Sequence, residues 1–219
     1  MAVLPYKDRS EAGQVLAREL ERYRHAPGLL MLALPRGGVP VAYEVTHALG
    51  APLEVFLVRK IGHPDHPEFA VGAVASGGTR VMNPGSGRVA PGALDAVVRS
   101  ELQELERRER AYRGDRPLPE LGGRTVIVVD DGLATGATMR AAAEAIRAQG
   151  PQELVLAAPV GARETCEALR ACADAVVCPR MPEPFHAVGA WYEDFRQVQD
   201  EEVLALLERA LQQTAGAQP

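Results

Sequence analysis

Lysine is almost missing from this 219-residue chain. Lys7 and Lys60 are its two lysines, and Asn83 is its one asparagine, beside plentiful arginine and 17 prolines. Few thermolabile amides and many prolines fit a thermostable protein, although a GC-rich coding sequence gives the same bias. Positive charge is not in excess: the net charge is −5, which argues against a global basic field for nucleic acid. Cysteine is scarce too. Cys166, Cys172 and Cys178 form no C-x-x-C pair and no disulfide frame, so they read as small apolar residues. No apolar run reaches 18 residues, so no membrane-spanning helix is predicted. The opening M-A-V-L-P-Y-K-D-R leads into no apolar segment of the kind a signal peptide needs, and the cytoplasm is the expected compartment. Two familiar phosphate-binding patterns are missing as well. There is no G-x-x-x-x-G-K-[ST], and no G-x-G-x-x-G follows a strand.

What is present centres on Val126–Met139, V-I-V-V-D-D-G-L-A-T-G-A-T-M. Four β-branched residues read as a buried strand, and an Ala-rich run through Gln149 reads as a helix that Gly150-Pro151 ends. Between them, Gly132, Ala134, Gly136 and Ala137 carry little or no side chain, so backbone N–H groups can close around an oxyanion at the helix N-terminus. Thr135 and Thr138 add hydroxyl donors. Asp130 and Asp131 would repel a phosphate but suit sugar hydroxyls or a nearby Mg²⁺. A phosphate grip beside two diol-binding acids predicts a site for a phosphorylated ribose. The bland alternative is a turn in which an Asp caps a helix.

This stretch resembles the phosphoribosyl pyrophosphate (PRPP) motif of type I phosphoribosyltransferases. The resemblance implies that Asp130 and Asp131 bind the ribose hydroxyls, and that Ala134, Thr135, Gly136, Ala137 and Thr138 hold the 5′-phosphate. It further implies a catalytic role for Asp130, Asp131 and Arg36, with Mg²⁺ as cofactor reaching the acids indirectly, through PRPP. Family members acting on 6-oxopurines usually carry an Asp where this chain has Ala134, so the chain looks more like the orotate and adenine branches.

Earlier in the chain, Asp8–Tyr23 reads as a capped amphipathic helix, within Y-K-D-R-S-E-A-G-Q-V-L-A, a wording similar to the opening of many bacterial members. Leu29–Leu34 is an apolar strand running into Pro35-Arg36-Gly37-Gly38, with helix resuming at Val41–Leu49. A cation beside two glycines suits a second anion. In the family the matching R-G-G loop binds pyrophosphate, often through a non-proline cis peptide, which puts Arg36, Gly37 and Gly38 there. Leu53–Val58 reads as a further strand whose carboxyl end would send Arg59 and Lys60 to the same pyrophosphate.

Ile61–Asn83 reads as a loop, H-P-D-H-P-E, then a hairpin turning at Ser76-Gly77-Gly78. His63, Asp65 and His66 could hold a metal, or form a rigid turn between prolines. The family carries its catalytic loop in this region, with Glu68 as a candidate. Pro91–Arg113 is a helix, apolar along Leu94, Val97, Val98, Leu102 and Leu105. Its charged half reads as a solvated face, or as a source of an arginine, Arg107 or Arg108, that closes on pyrophosphate. Leu154–Pro159, Arg163–Ala173 and Ala175–Cys178 complete the strand and helix alternation. Arg180–Gln199 gathers Phe185, Trp191, Tyr192 and Phe195. This is a satellite core, or a lid on which a base stacks, and the resemblance places the base-binding hood here with Phe185, Trp191 and Tyr192.

The expected fold is α/β: a parallel twisted sheet of about five strands with helices on both faces, a hairpin and helix insertion, and a C-terminal hood. One domain is expected over residues 1–219, with its core at about 8–178, the insertion at 61–116, the hood at 179–199 and a last helix at 200–213. The expected activity is transfer of ribose 5-phosphate from PRPP to a nitrogen acceptor, with a nucleobase as the expected acceptor, and release of pyrophosphate. The rival is a PRPP-binding regulator. The expected partners are PRPP and a small acceptor, with no nucleic acid and no membrane; a homodimer rests on the resemblance alone.

Overall fold

The computed structural model describes residues 4–83 and 92–216. Pro91, the predicted start of the long helix, lies outside them, as do the first residues of the chain and part of the 61–116 insertion.

Five strands form one parallel sheet in the order β2-β1-β6-β7-β8. They are β1 (Leu30–Ala33), β2 (Leu53–Val55), β6 (Thr125–Val129), β7 (Glu153–Ala157) and β8 (Ala175–Val177). Alternation along each strand sends side chains to opposite faces. Met31, Ala33, Val55, Ile127, Val129 and Val155 join one core, while Leu30, Leu32, Val126, Val128, Leu154 and Leu156 join the other. The strands therefore read as unbroken apolar runs because both faces are covered.

The first face carries α1 (Arg9–Glu19), α2 (Gly38–Leu49), α3 (Ala93–Arg113) and α6 (Asp200–Gly216), which bury Leu16, Val45, Leu105 and Val203 among others. The second carries α4 (Ala137–Arg147) and α5 (Arg163–Leu169), through Ala142, Ile146, Cys166 and Leu169. Each large apolar side chain buried in this way stabilises the fold by roughly 1.5–3 kcal/mol. Asp8 caps α1, accepting the Glu11 N–H at 2.9 Å, and Gly50, at φ 68°, ends α2.

A second, antiparallel sheet contains β3 (Val58–His63), β4 (His66–Ala75) and β5 (Thr79–Met82). Here the prediction needs two corrections. The expected strand Leu53–Val58 divides at Phe56-Leu57. Phe56 N–H still donates to Ala33 O at 2.9 Å, but Leu57 N–H donates to the buried Ser76 Oγ at 2.9 Å and so leaves the parallel sheet. The expected loop H-P-D-H-P-E is itself a hairpin, with His63 paired to His66 across Pro64-Asp65. The turn at Ser76–Gly78 stands as predicted.

Candidate active site

β1 connects outward to β2, whereas β6 lies on the other side of β1. That reversal is a topological switch point, where open α/β sheets leave a crevice at the strands' carboxyl ends. Two loops meet there: Pro35–Gly38 after β1 and Asp130–Gly136 after β6.

Glycine is what lets them touch. A Cβ on Gly38 would lie 2.5 Å from the Val129 carbonyl oxygen and 3.0 Å from Asp130 Cα. A Cβ on Gly37 would overlap the Asp131 carboxylate. The Pro35–Arg36 peptide is cis. The β6 loop is fixed from its far side: Leu133 N–H donates to Val160 O at 2.9 Å, Ala162 N–H to Leu133 O at 2.8 Å, and Thr165 Oγ1 to Ala134 O at 2.5 Å. Gly136, at φ 70°, turns the chain into α4. Ala134, Thr135, Ala137 and Thr138 stand exposed at the start of that helix, where the dipole and the first-turn N–H groups favour an anion.

The two acids differ in their surroundings. Asp130 Oδ1 accepts the Asp131 N–H at 2.9 Å. Burial, then the charge of Asp131, push the Asp130 carboxyl well above the usual range. Burial raises Asp131 as well, and Arg9 opposes that rise. Arg9 is 9% exposed and was missed by the sequence reading. Its Nε and one terminal nitrogen donate to Asp131 Oδ2 at 2.9 and 2.8 Å. The other terminal nitrogen donates to Arg196 O at 2.9 Å, and the guanidinium lies 4.0 Å from the Phe195 ring centroid. The signal was there, since an arginine beside the Asp8 cap had to lie in the first turn of α1, but nothing local marks that turn as facing an acid 122 residues away.

Arg36 lies between two clefts, its side chain about one third exposed and 3.8 Å from Asp200 Oδ1. One cleft, of about 330 Å³, is lined by Arg9, Arg36, Gly37, Asp131, Phe195 and Gln197 with Val198. The other, of about 200 Å³, is lined by Arg36, Arg107, Arg108, Tyr112 and Asp200 with Ala111. Tyr112 Oη donates to Asp200, and burial pushes its phenol up to about 12. Arg59 reaches a small adjoining cleft with Arg36, Arg108 and Thr138, while also pairing with Glu101 at 2.6 Å. Lys60 does not follow it. Neighbouring residues of a strand face opposite ways, and Lys60 points out, 3.8 Å from the exposed Glu68. The predicted pair of cations is thus split, because they lie within β3 rather than at a strand's carboxyl end.

In the C-terminal segment, Phe185 and Trp191 pack against a small core of Tyr6, Ala12, Val160 and Tyr192. Tyr192 is 6% exposed; its Oη donates to Asp131 O at 2.6 Å, and burial raises its phenol. Of the three, Tyr192 holds the β6 loop directly. Phe195, 36% exposed, is the aromatic that lines the open cleft. His63 and His66 face each other with ring centroids 5.6 Å apart, and His63 Nδ1 accepts the Asp65 N–H at 3.1 Å. Among the described residues no group of three or more His, Cys, Asp or Glu could hold a metal ion, and no helix is long and apolar enough to cross a membrane.

Residues 16–193 match the model of the phosphoribosyl transferase domain. The chain belongs to this family. Its fold is similar to the crystal structure of TT1426 from Thermus thermophilus, at 43% identity and a TM-score of 0.84, covering 94% of this chain and 99% of that one. The AQ2163 protein from Aquifex aeolicus shares the fold at 13% identity and a TM-score of 0.50, over 83% of this chain and 78% of that one. Two Mycobacterium tuberculosis proteins, named "Putative phosphoribosyl transferase Rv0571c" and "Putative phosphoribosyl transferase MT0597", are each 44% identical over 97% of the chain. The match spans 48% of the length of these curated relatives.

Proposed function

We propose that the crevice binds PRPP and that the domain transfers its ribose 5-phosphate to a nitrogen acceptor. The observation carrying this reading is the back-to-back contact of Gly37 and Gly38 with Asp131 and Asp130, at the edge where α4 begins. One crevice then offers a helix N-terminus, a pair of carboxylates and an arginine loop, in the order that a 5-phosphate, a ribose diol and a pyrophosphate would need.

In this reading Ala134–Thr138 hold the 5′-phosphate through backbone N–H groups and the Thr135 and Thr138 hydroxyls. Asp130 and Asp131 hold the ribose hydroxyls. Arg36, with the backbone of Gly37 and Gly38 and with Arg59 nearby, faces the pyrophosphate. The bond from C1′ to the pyrophosphate oxygen breaks and that oxygen keeps the electron pair. The acceptor nitrogen forms the new bond to C1′ and gives its proton to solvent. Arg36 stabilises the departing charge, and the acids favour the electron-poor sugar. A planar acceptor fits the cleft beside Phe195 and Gln197.

Mg²⁺ suits this donor set only indirectly. One carboxylate is already paired with Arg9, and among the described residues no protein cage surrounds the acids. The ion would take most of its oxygens from PRPP and water, with Asp130 and Asp131 reaching it through the bound PRPP. It would supply charge neutralisation at the pyrophosphate.

The test is release of pyrophosphate from PRPP and Mg²⁺ with a panel of purine and pyrimidine bases. Release with one base, abolished by Asp131→Ala, is expected. Binding of PRPP with no release for any base would favour a PRPP-sensing regulator.

A further inference from the structure

Among the described residues, Arg9 is the buried guanidinium in contact with the acid pair, and the proposed chemistry leaves it without a role. It enters from the first turn of α1, far in sequence from Asp131, and donates two hydrogen bonds to a single carboxylate oxygen, Oδ2. Its third nitrogen donates to the backbone of the C-terminal segment, at Arg196 O, and the Phe195 ring lies over the guanidinium. Tyr192, from the same segment, holds the Asp131 carbonyl. Asp131 is therefore held by α1 at its carboxylate and by the C-terminal segment at its backbone carbonyl, with Gly37 against the carboxylate. A carboxylate has lone pairs on both oxygens, so a clamp on Oδ2 leaves Oδ1 able to accept from a ligand.

We propose that Arg9 is a positioning residue for ribose recognition: it fixes the Asp131 carboxylate in the orientation that accepts a ribose hydroxyl, and it ties that orientation to the C-terminal segment that carries Phe195 and Gln197. The proposal rests on reading Asp131 as a ribose ligand. Its geometric basis is the planar guanidinium fork, which orients a carboxylate where an ammonium only neutralises it. A buried pair also penalises removal of one partner, since the other is left uncompensated.

The test is calorimetric titration at fixed Mg²⁺ with PRPP and, separately, with inorganic pyrophosphate, which has no ribose. Four chains are compared with wild type: Arg9→Gln, Arg9→Lys, Asp131→Asn, and the double variant Arg9→Gln/Asp131→Asn. Arg9→Gln and Asp131→Asn should each weaken PRPP by about tenfold or more, and the double variant should lose little beyond either alone, because both remove one interaction. Arg9→Lys should recover part of the loss and serves as the informative variant should Arg9→Gln fail to fold. Pyrophosphate affinity should stay within about twofold throughout, which loss of folding would not allow. PRPP binding by Arg9→Gln at the wild-type level overturns the proposal, as do fully additive losses in the double variant or an equal loss of pyrophosphate binding. If the wild-type chain binds no PRPP, the reading of the site itself fails, and the positioning role with it.

Discussion

At the residue scale, two glycines and one aspartate carry the clearest consequences. Gly38 sits against backbone, which cannot move aside: its missing Cβ would stand 2.5 Å from Val129 O. Gly38→Ala should lose about 1–3 kcal/mol of stability, seen as a lower urea midpoint with an unchanged slope. Gly37 sits against the Asp131 carboxylate, which Arg9 holds in place. Gly37→Ala should therefore disturb a buried ion pair, weakening PRPP binding as well as stability. Asp130 gives a prediction with a pH sign. Its carboxyl is held well above its ordinary value of 3.8 by burial and by Asp131. An acid raised in the folded state adds stability below its unfolded value, and that stability is lost as pH rises through the folded value. Asp130→Asn should accordingly raise the melting temperature near neutral pH, by about 2–4 °C per kcal/mol regained, and flatten its fall from acid to neutral pH. An unchanged pH profile would contradict this. The cost should appear in ligand binding, the usual trade at a functional site.

At the scale of elements, α3 serves both the core and the cleft. Its inner face, Val98, Leu105 and Tyr112, is core, while Arg107 and Arg108 stand across a cleft from Arg36. Glu104 holds both arginines, at 2.7 and 2.8 Å, and they in turn pull its carboxyl down to about 2. Arg108→Ala should weaken pyrophosphate binding several-fold and reduce its salt dependence, because a screened charge is removed; an unchanged affinity would separate α3 from the anion site. The sequence made the parallel sheet legible, since doubly covered strands must be continuous apolar runs such as Val126–Val129. It also made the β6 loop legible, because Gly and Ala at fixed spacing next to two acids serve few other purposes. The break at Phe56-Leu57 was hidden: apolar character continues across it, and only the distant Ser76 hydroxyl decides where the chain changes sheet. Arg9 and the burial of Tyr192 were hidden for the same reason, each depending on a partner more than 60 residues away. Pro64-Asp65 made the His63–His66 turn look like a loop, because it lacks the Asn-Gly or Asp-Gly signature of two-residue hairpin turns.

At the scale of the molecule, a chain of net charge −5 gathers Arg9, Arg36, Arg59, Arg107 and Arg108 around one crevice. Asp131 and Asp200 line the same clefts, and Glu101 and Glu104 pair with Arg59, Arg107 and Arg108, so the charges of both signs meet at the switch point where the fold itself opens the sheet. The chain belongs to the phosphoribosyl transferase domain family and spans about half the length of its curated relatives. The most direct measurement is calorimetric titration of the wild-type chain and Asp131→Ala with PRPP and Mg²⁺. Saturable binding by the wild type, weakened by at least about tenfold in Asp131→Ala, is the predicted result. Absence of binding by the wild type, or equal affinity in the two chains, would contradict the assignment of Val126–Met139 as the ribose-phosphate site.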